Sequence, residues 1–324
     1  MESKATNHRM SLRSLVQGFI LCQRTEGKSP RTVEYYQGIL RRFLWYAEKK
    51  GWPDQAQLVS EWQVRDFLGY VASSRDRWGT SSKNSRTEVS HSTLRHYYVG
   101  LHALFSWAVR EGLLEESPID KIKIQKAKPR VIQPYAPAEI QAMLKVCELD
   151  YQQGAKFLAS RNRAIILILL DSGLRLTELS SMKVTDIDTN NGWIKVQGKG
   201  GKERVVRIGR CAQKALWKHL TWRPEGYGEI WLTEEGRPLT ARGIQHVIRR
   251  IKERAGITTE GTVHRFRHTF SLNFLRADRN PFNLQYLLGH SSLDMVRRYT
   301  ATLGMEDALK AHENASPADM LGFK

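Results

Sequence analysis

TVHRFRHTFSLNFLRADRNPFNLQYLLGHSSLDMVRRYTAT, residues 262–302, is the stretch whose reading decides the rest of the chain. His264 and Arg267 stand three apart, which places both side chains on one face of a helix. An imidazole beside a guanidinium can hold and neutralise a phosphate, because arginine offers a planar fork of donors. The apolar run Phe282, Leu284, Tyr286, Leu287, Leu288 reads as the buried stripe of the next helix. Gly289 is placed to end that helix, leaving His290 at its exposed terminus. Tyr299 follows in the basic context Arg297-Arg298-Tyr299. A phenol with a free pKa of about 10 needs such cationic help to act as a nucleophile.

The order His-x-x-Arg, Leu-Gly-His, Tyr resembles the C-terminal signature of the tyrosine recombinase (integrase) family. The resemblance implies an earlier arginine in a Gly-Leu-Arg turn and a lysine in a Gly-Lys-Gly hairpin. Both are present, as Gly173-Leu174-Arg175 and Gly198-Lys199-Gly200. Six positions in the right order form a specific signal, whereas any one alone is weak.

The composition agrees with a polyanion as partner. The 324 residues carry 51 Lys+Arg against 33 Asp+Glu, a formal charge of +18. The excess is no tail: residues 1–130 hold 22 basic and 13 acidic side chains, and the remainder 29 and 20. Two basic halves suit a protein that grips nucleic acid from both sides, although a generally basic surface has the same charge. Cys22, Cys147 and Cys211 are odd in number and scattered, which argues for a reducing compartment and against a disulfide framework or zinc site. The longest pure apolar run, Ala164 to Leu170, is too short to span a bilayer, and residues 16–22 make no clean signal peptide. The expectation is a cytoplasmic, nucleoid-associated protein of a prokaryotic or phage host, with no membrane, metal or cofactor.

Periodicity predicts four helices before residue 115. One spans about 12–25, and one starts at Ser29-Pro30 with the stripe Val33, Tyr36, Leu40, Phe43, Ala47. A third opens at the capping box Ser60-Glu61-Trp62-Gln63, and the fourth carries Leu94, Tyr97, Leu101, Leu104, Phe105 and Ala108. A Ser-rich polar loop separates the last two. Residues 116–136, with Pro118, Pro129, Pro134 and the run Lys121, Lys123, Lys126, Lys128, Arg130, read as an extended basic linker. Helices and a hairpin follow over 137–302, with Trp193–Val196 and Arg204–Ile208 as its strands, and 303–324 form a tail.

The expected fold is therefore mainly α with a small β-sheet. The resemblance implies a helical core-binding (SAM-like) bundle followed by a mixed α/β integrase-type catalytic domain. It extends over nearly the whole chain, and a further N-terminal arm-binding module is not expected within these residues.

The expected catalytic set is Arg175, Lys199, His264, Arg267, His290 and Tyr299. Two arginine forks can hold both non-bridging oxygens of one phosphate and stabilise a pentacovalent transition state, with Glu178 placed to orient Arg175. Lys199, by the family's Gly-Lys-Gly placement, is the general acid for the departing sugar oxygen, with Lys202 its rival. His268 competes with His264, and Tyr286 with Tyr299; Tyr286 lies in an apolar stripe and reads as core. Arg41, Arg42, Arg86, Lys121, Lys123, Lys126, Lys128, Lys202, Arg204 and Arg242 are the expected DNA contacts. The resemblance implies a site-specific recombinase. It cleaves duplex DNA through a 3′-phosphotyrosyl intermediate without ATP or metal, as a homotetramer on two duplexes, with accessory DNA-bending proteins as further partners. A type IB topoisomerase uses similar residues, and a catalytically inactive DNA-binding regulator would share the charge; these are the alternatives.

Overall fold

Helix caps and strand pairing organise the chain much as local chemistry dictates. The computed structural model describes residues 10–73, 78, 89–125, 133–188, 190–198, 201, 203–261, 263–278, 280–289, 293, 296, 297, 299, 304, 307, 309 and 312. The chain divides into two units, 1–129 and 130–324.

The first unit contains α1 (Leu12–Thr25), α2 (Pro30–Lys49), α3 (Glu61–Ser73) and α4 (His91–Arg110). Ser11, Ser29 and Ser90 cap α1, α2 and α4 through side-chain oxygens, and Pro30 occupies the first turn of α2. The capping box at Ser60 closes as expected: its amide donates to Gln63 Oε1 at 2.7 Å. Along α2 the expected stripe faces inward, with Val33, Leu40, Phe43 and Ala47 buried and Tyr36 packed at the core's edge. The linker expectation is corrected at its first part. Ile119 and Ile122 are buried in this unit's core, because isoleucines three apart, set among exposed Asp120, Lys121 and Lys123, make an inward face even beside a proline.

In the second unit α5 (Pro137–Gln152), α6 (Lys156–Ser172) and α7 (Leu176–Ser180) precede a three-stranded antiparallel sheet. Its hairpin pairs β2 (Trp193–Gln197) with β3 (Glu203–Arg207), Val196 opposite Arg204 and Ile194 opposite Val206. A two-residue strand, β1 (Ile187–Asp188), is added at the edge and has no sequence signal of its own. Then follow α8 (Arg210–Trp222), α9 (Ala241–Arg254), α10 (Val263–Asp278) and α11 (Pro281–Leu288). α6 starts one to two turns earlier than the apolar run at Arg163 suggests, because Ala159, Ser160 and Arg161 are buried too.

Helix α11 corrects a second expectation. Leu284 and Leu288 are buried, but Phe282 is 54% and Tyr286 79% exposed. An eight-residue helix on a core buries one i, i+4 line, and the other aromatic positions of the run fall outside it. Gly289 ends α11 in the left-handed conformation (φ 62°), as its sequence position implies.

Candidate active site

Four elements converge on one buried polar cluster. Gly173 ends α6 at φ 60°, and a Cβ there would come within 2.4 Å of Phe270, so only glycine fits. The turn delivers Arg175 to the start of α7. The Arg175 amide donates to Glu178 Oε2 and its Nη1 to Oε1, both at 2.8 Å. From β3, Arg204 donates through Nη1 and Nη2 to the same carboxylate at 2.9 and 2.8 Å, and through Nε to the Leu287 carbonyl at 2.9 Å. From α10, Arg267 donates to the carbonyls of Gly173 at 2.7 Å and Leu288 at 3.0 Å.

Glu178 is the hub. Burial alone would raise its pKa, but hydrogen bonds from Arg204 and the Arg175 amide, with the Arg204 charge and the Arg175 side-chain bond, outweigh that and carry it down to about 2. Two guanidinium groups also cap the last carbonyls of α11, satisfying orphan acceptors at the negative end of that helix. The next residue beyond Gly289 is His290.

Arg267 is buried, and desolvation followed by the Arg175 charge lowers it to about 10, so it stays cationic at neutral pH. His264 is exposed at the rim of α10. Desolvation by the surrounding site, then the charges of Arg267 and Arg175, hold it below the ordinary imidazole value. A neutral ring keeps one donor and one acceptor at neutral pH. Tyr299 is 4% exposed, sits among Leu272, Leu275, Leu284, Leu288 and Val296, and its ring centroid lies 5.2 Å from that of His268.

The structure thus brings Arg175, His264, Arg267 and Tyr299 into one neighbourhood; Lys199 and His290 lie outside the described residues, as do Arg86, Lys126, Lys128 and Lys202. Arg204 is removed from the DNA-contact set: its side chain is 13% exposed, with its guanidinium turned onto Glu178 and Leu287. Strand alternation was the available signal, since Arg204 shares a face with buried Val206. His268, the competitor of His264 in the sequence, packs against Tyr299. Arg41, Lys121, Lys123 and Arg242 are exposed, while Arg42 donates to the Tyr97 hydroxyl and lies 5.2 Å over the Trp78 ring. Tyr286, the rival tyrosine, lies on the exposed face of α11.

Among the described residues no group of three or more His, Cys, Asp or Glu side chains is arranged to hold a metal ion. No described helix is long and apolar enough to cross a membrane.

Comparison with known proteins agrees with this geometry. Residues 135–304 match the model of the phage integrase family. A tyrosine recombinase XerC of Oceanobacillus iheyensis is 30% identical over 304 residues, covering 89% of this chain and 92% of its own. A XerD of Listeria monocytogenes is 28% identical over 311 residues, covering 90% and 95%. In fold the chain is similar to XerH site-specific recombinase bound to a palindromic difH substrate, with a TM-score of 0.71, 20% identity and 98% and 100% coverage. A lambda integrase dimer bound to a COC′ core site gives a TM-score of 0.67, 18% identity and 88% and 97% coverage. With the paired arginines, the rim histidine and the buried tyrosine in the order its sequence carries them, the chain belongs to the phage integrase family of tyrosine recombinases.

Proposed function

We propose that this tyrosine recombinase carries out site-specific recombination of duplex DNA with Tyr299 as nucleophile and Arg175 and Arg267 as the phosphate clamp. The observation that carries the reading is the convergence of both arginines and His264 beside Tyr299, with Glu178 fixing Arg175. The Tyr299 oxygen attacks the phosphorus, the bond to the 5′-oxygen breaks, and the phosphate becomes 3′-linked to the tyrosine. Lys199 gives its proton to the departing 5′-oxygen. His264 and His290 donate to phosphate oxygens or take the phenolic proton. A 5′-hydroxyl from the partner duplex then attacks the phosphotyrosine and releases Tyr299. Bond energy is conserved, so no ATP is consumed.

The DNA partner is supported by the solved relatives, which are bound to their recombination sites. The exposed basic face of α9, with Arg242, Arg249 and Arg250, and the exposed Arg41, Lys121 and Lys123 supply phosphate contacts on the two units. Assembly as a tetramer on two duplexes, with residues 303–324 docking on a neighbouring subunit, completes the reading. Leu309, 60% exposed, is an uncovered apolar side chain in that tail.

The test is recovery of covalent protein–DNA adducts from cells making the wild-type protein or Tyr299→Phe. The wild-type protein is expected to yield DNA 3′ ends linked through tyrosine at a defined sequence, and the variant none. Equal adduct from both would move the nucleophile elsewhere, with exposed Tyr286 the first place to look.

A further inference from the structure

On the far side of α10 from the phosphate clamp lies a second buried ion pair that the mechanism does not use. Arg265, next to His264 in sequence, is 4% exposed. An arginine has five N–H donors, and here every one has an acceptor. Nε reaches the Gln133 carbonyl at 2.9 Å, and Nη2 reaches the Pro134 carbonyl at 3.0 Å and Glu139 Oε2 at 2.8 Å. Nη1 reaches Glu139 Oε1 at 3.0 Å and the Thr259 hydroxyl. The guanidinium carbon stands 4.1 Å over the Tyr135 ring. One turn along the same helix, Thr269 accepts from the Tyr135 amide at 2.8 Å and donates to the Arg265 carbonyl at 2.8 Å. Glu139 in turn accepts from the Ala136 amide at 2.8 Å.

Both backbone acceptors and the ring under the guanidinium belong to one short segment, residues 133–135, by which the chain enters the catalytic unit, while Glu139 lies in the first turn of α5 and Thr259 just before α10. Burying an ion pair of this kind is poor value for stability alone, since apolar side chains of like volume often do as well. What the guanidinium fork supplies and an apolar side chain does not is register. Two consecutive carbonyls and one carboxylate are fixed at set distances from a single helical position. That position is one residue from His264 and two from Arg267.

We propose that Arg265 is a positioning residue: it fastens the 133–135 segment to α10 and so sets the rotation and height of the helix that presents His264 and Arg267 to the phosphate. The proposal rests on the reading of those two side chains as phosphate-binding groups. A misplacement of about 1 Å at such groups costs on the order of a hundredfold in rate.

The experiment uses the full-length protein and a nicked duplex carrying the sequence recovered from the wild-type adducts, on which the covalent intermediate accumulates. Three quantities are read: half-site affinity, the rate of adduct formation at saturating protein, and its final amplitude. The double variant Arg265→Met, Glu139→Leu removes both charges together and leaves neither unpaired. Its melting temperature and half-site affinity are expected to stay near wild type, its amplitude to be unchanged, and its rate to fall by about tenfold or more. Arg265→Lys, which keeps the charge beside Glu139 but loses the fork to the carbonyls, is expected to lie between. If the double variant does not fold, Arg265→Lys carries the test alone. A wild-type rate in either folded variant overturns the proposal. So does a loss confined to amplitude or melting temperature with the rate intact, because that is what a merely structural pair would produce. Failure of the wild-type protein to form any adduct would instead strike the reading of the active site itself.

Discussion

The two units are held together by different kinds of core. In the first, Phe19, Phe43, Tyr46, Phe67, Tyr97, Phe105 and Trp107 pack edge to face, and Gln23 is the one buried polar side chain among the described residues. In the second, Arg161, Glu178, Lys252, Arg265 and Arg267 are buried among aliphatic side chains. Aromatic packing is tolerant of pH and salt and needs only shape. A buried charge is stable only while its partner is present and ionised. The difference suits the proposed chemistry: a unit that is to clamp a phosphate must keep cations in a desolvated place, and the Glu178 carboxylate offsets their repulsion.

The largest break in this contrast is Glu178→Ala. It leaves Arg204 with no carboxylate and Arg175 without its orienting partner. The expected loss is about 3–5 kcal/mol, comparable with Phe43→Ala in the aromatic core. The two should differ in location and consequence. Hydrogen exchange is expected to quicken in α7, α10 and α11 for Glu178→Ala, and in α2 and α4 for Phe43→Ala. Adduct formation per folded, DNA-bound molecule should be abolished only by the first. Unchanged cleavage in Glu178→Ala would mean that the carboxylate does not organise the clamp.

A smaller effect separates the units by acid. Glu178 has its folded pKa lowered from 4.5 to about 2, so its contribution is present above pH 4.5 and lost as pH falls toward 2. His219 is stacked on Trp231 and donates through Nε2 to the Ile230 carbonyl; burial lowers it from 6.5 to about 4. Its contribution is present above pH 6.5 and lost as pH falls toward 4, because the unfolded chain takes up the proton first. Each is worth on the order of 3 kcal/mol at most. The shifted phenols of the first unit, Tyr35 and Tyr46, are raised mainly by burial, so what they contribute is lost only above pH 10. Between pH 6.5 and 4 the second unit is expected to lose stability before the first, seen as earlier amide exchange in α6 and α8 than in α2. His219→Gln should flatten that dependence. If it does not, the acid sensitivity lies elsewhere.

Much of this arrangement was legible in the chain. Local signals served well where one turn of backbone decides the outcome: Ser29-Pro30, the box at Ser60 and Gln63, the hairpin strands, Gly173 and Gly289. Arg175, His264, Arg267 and Tyr299, the side chains proposed for the phosphate clamp and nucleophile, stand out in the sequence because their spacing is short or their motif specific. What stayed hidden depends on partners distant in sequence. Arg204 reads as a surface cation until Glu178, 26 residues before it, and Leu287, 83 after, are brought to it. Arg265 looks like an unused position between His264 and Arg267 until residues 133–139 fold back onto it. Tyr286 misleads in the other direction, since an apolar run in a short helix does not say which line of it faces inward. Trp78 lies in a polar, Ser-rich segment and gives no local hint of its packing.

That tryptophan carries the smallest prediction and the sharpest test of how the aromatic core works. Trp78 is the one described non-glycine residue with positive φ, 66°. A left-handed backbone at a bulky side chain costs about 1–3 kcal/mol and persists only where the surroundings over-determine it. Here its ring stacks on Tyr97 at 5.8 Å, meets Trp45 and Tyr70 edge on, and lies under the Arg42 guanidinium, while its amide donates to the Tyr70 hydroxyl at 2.9 Å. Each aromatic pair adds roughly 0.5–1.5 kcal/mol beyond its buried area, so three pairs together with that area outweigh the strain. Removing the ring therefore gives two different answers depending on what replaces it. Trp78→Ala loses the packing and keeps the strained backbone, whereas Trp78→Gly loses the packing and the strain together. The glycine variant is expected to be the more stable by about 1 kcal/mol, against the usual order of the two residues. Denaturant unfolding of the full-length variants, followed by exchange at α2 and α4 amides, measures the difference. If alanine proves the more stable, the backbone at 78 is not strained in the folded protein, and the aromatic cluster holds that segment without opposition.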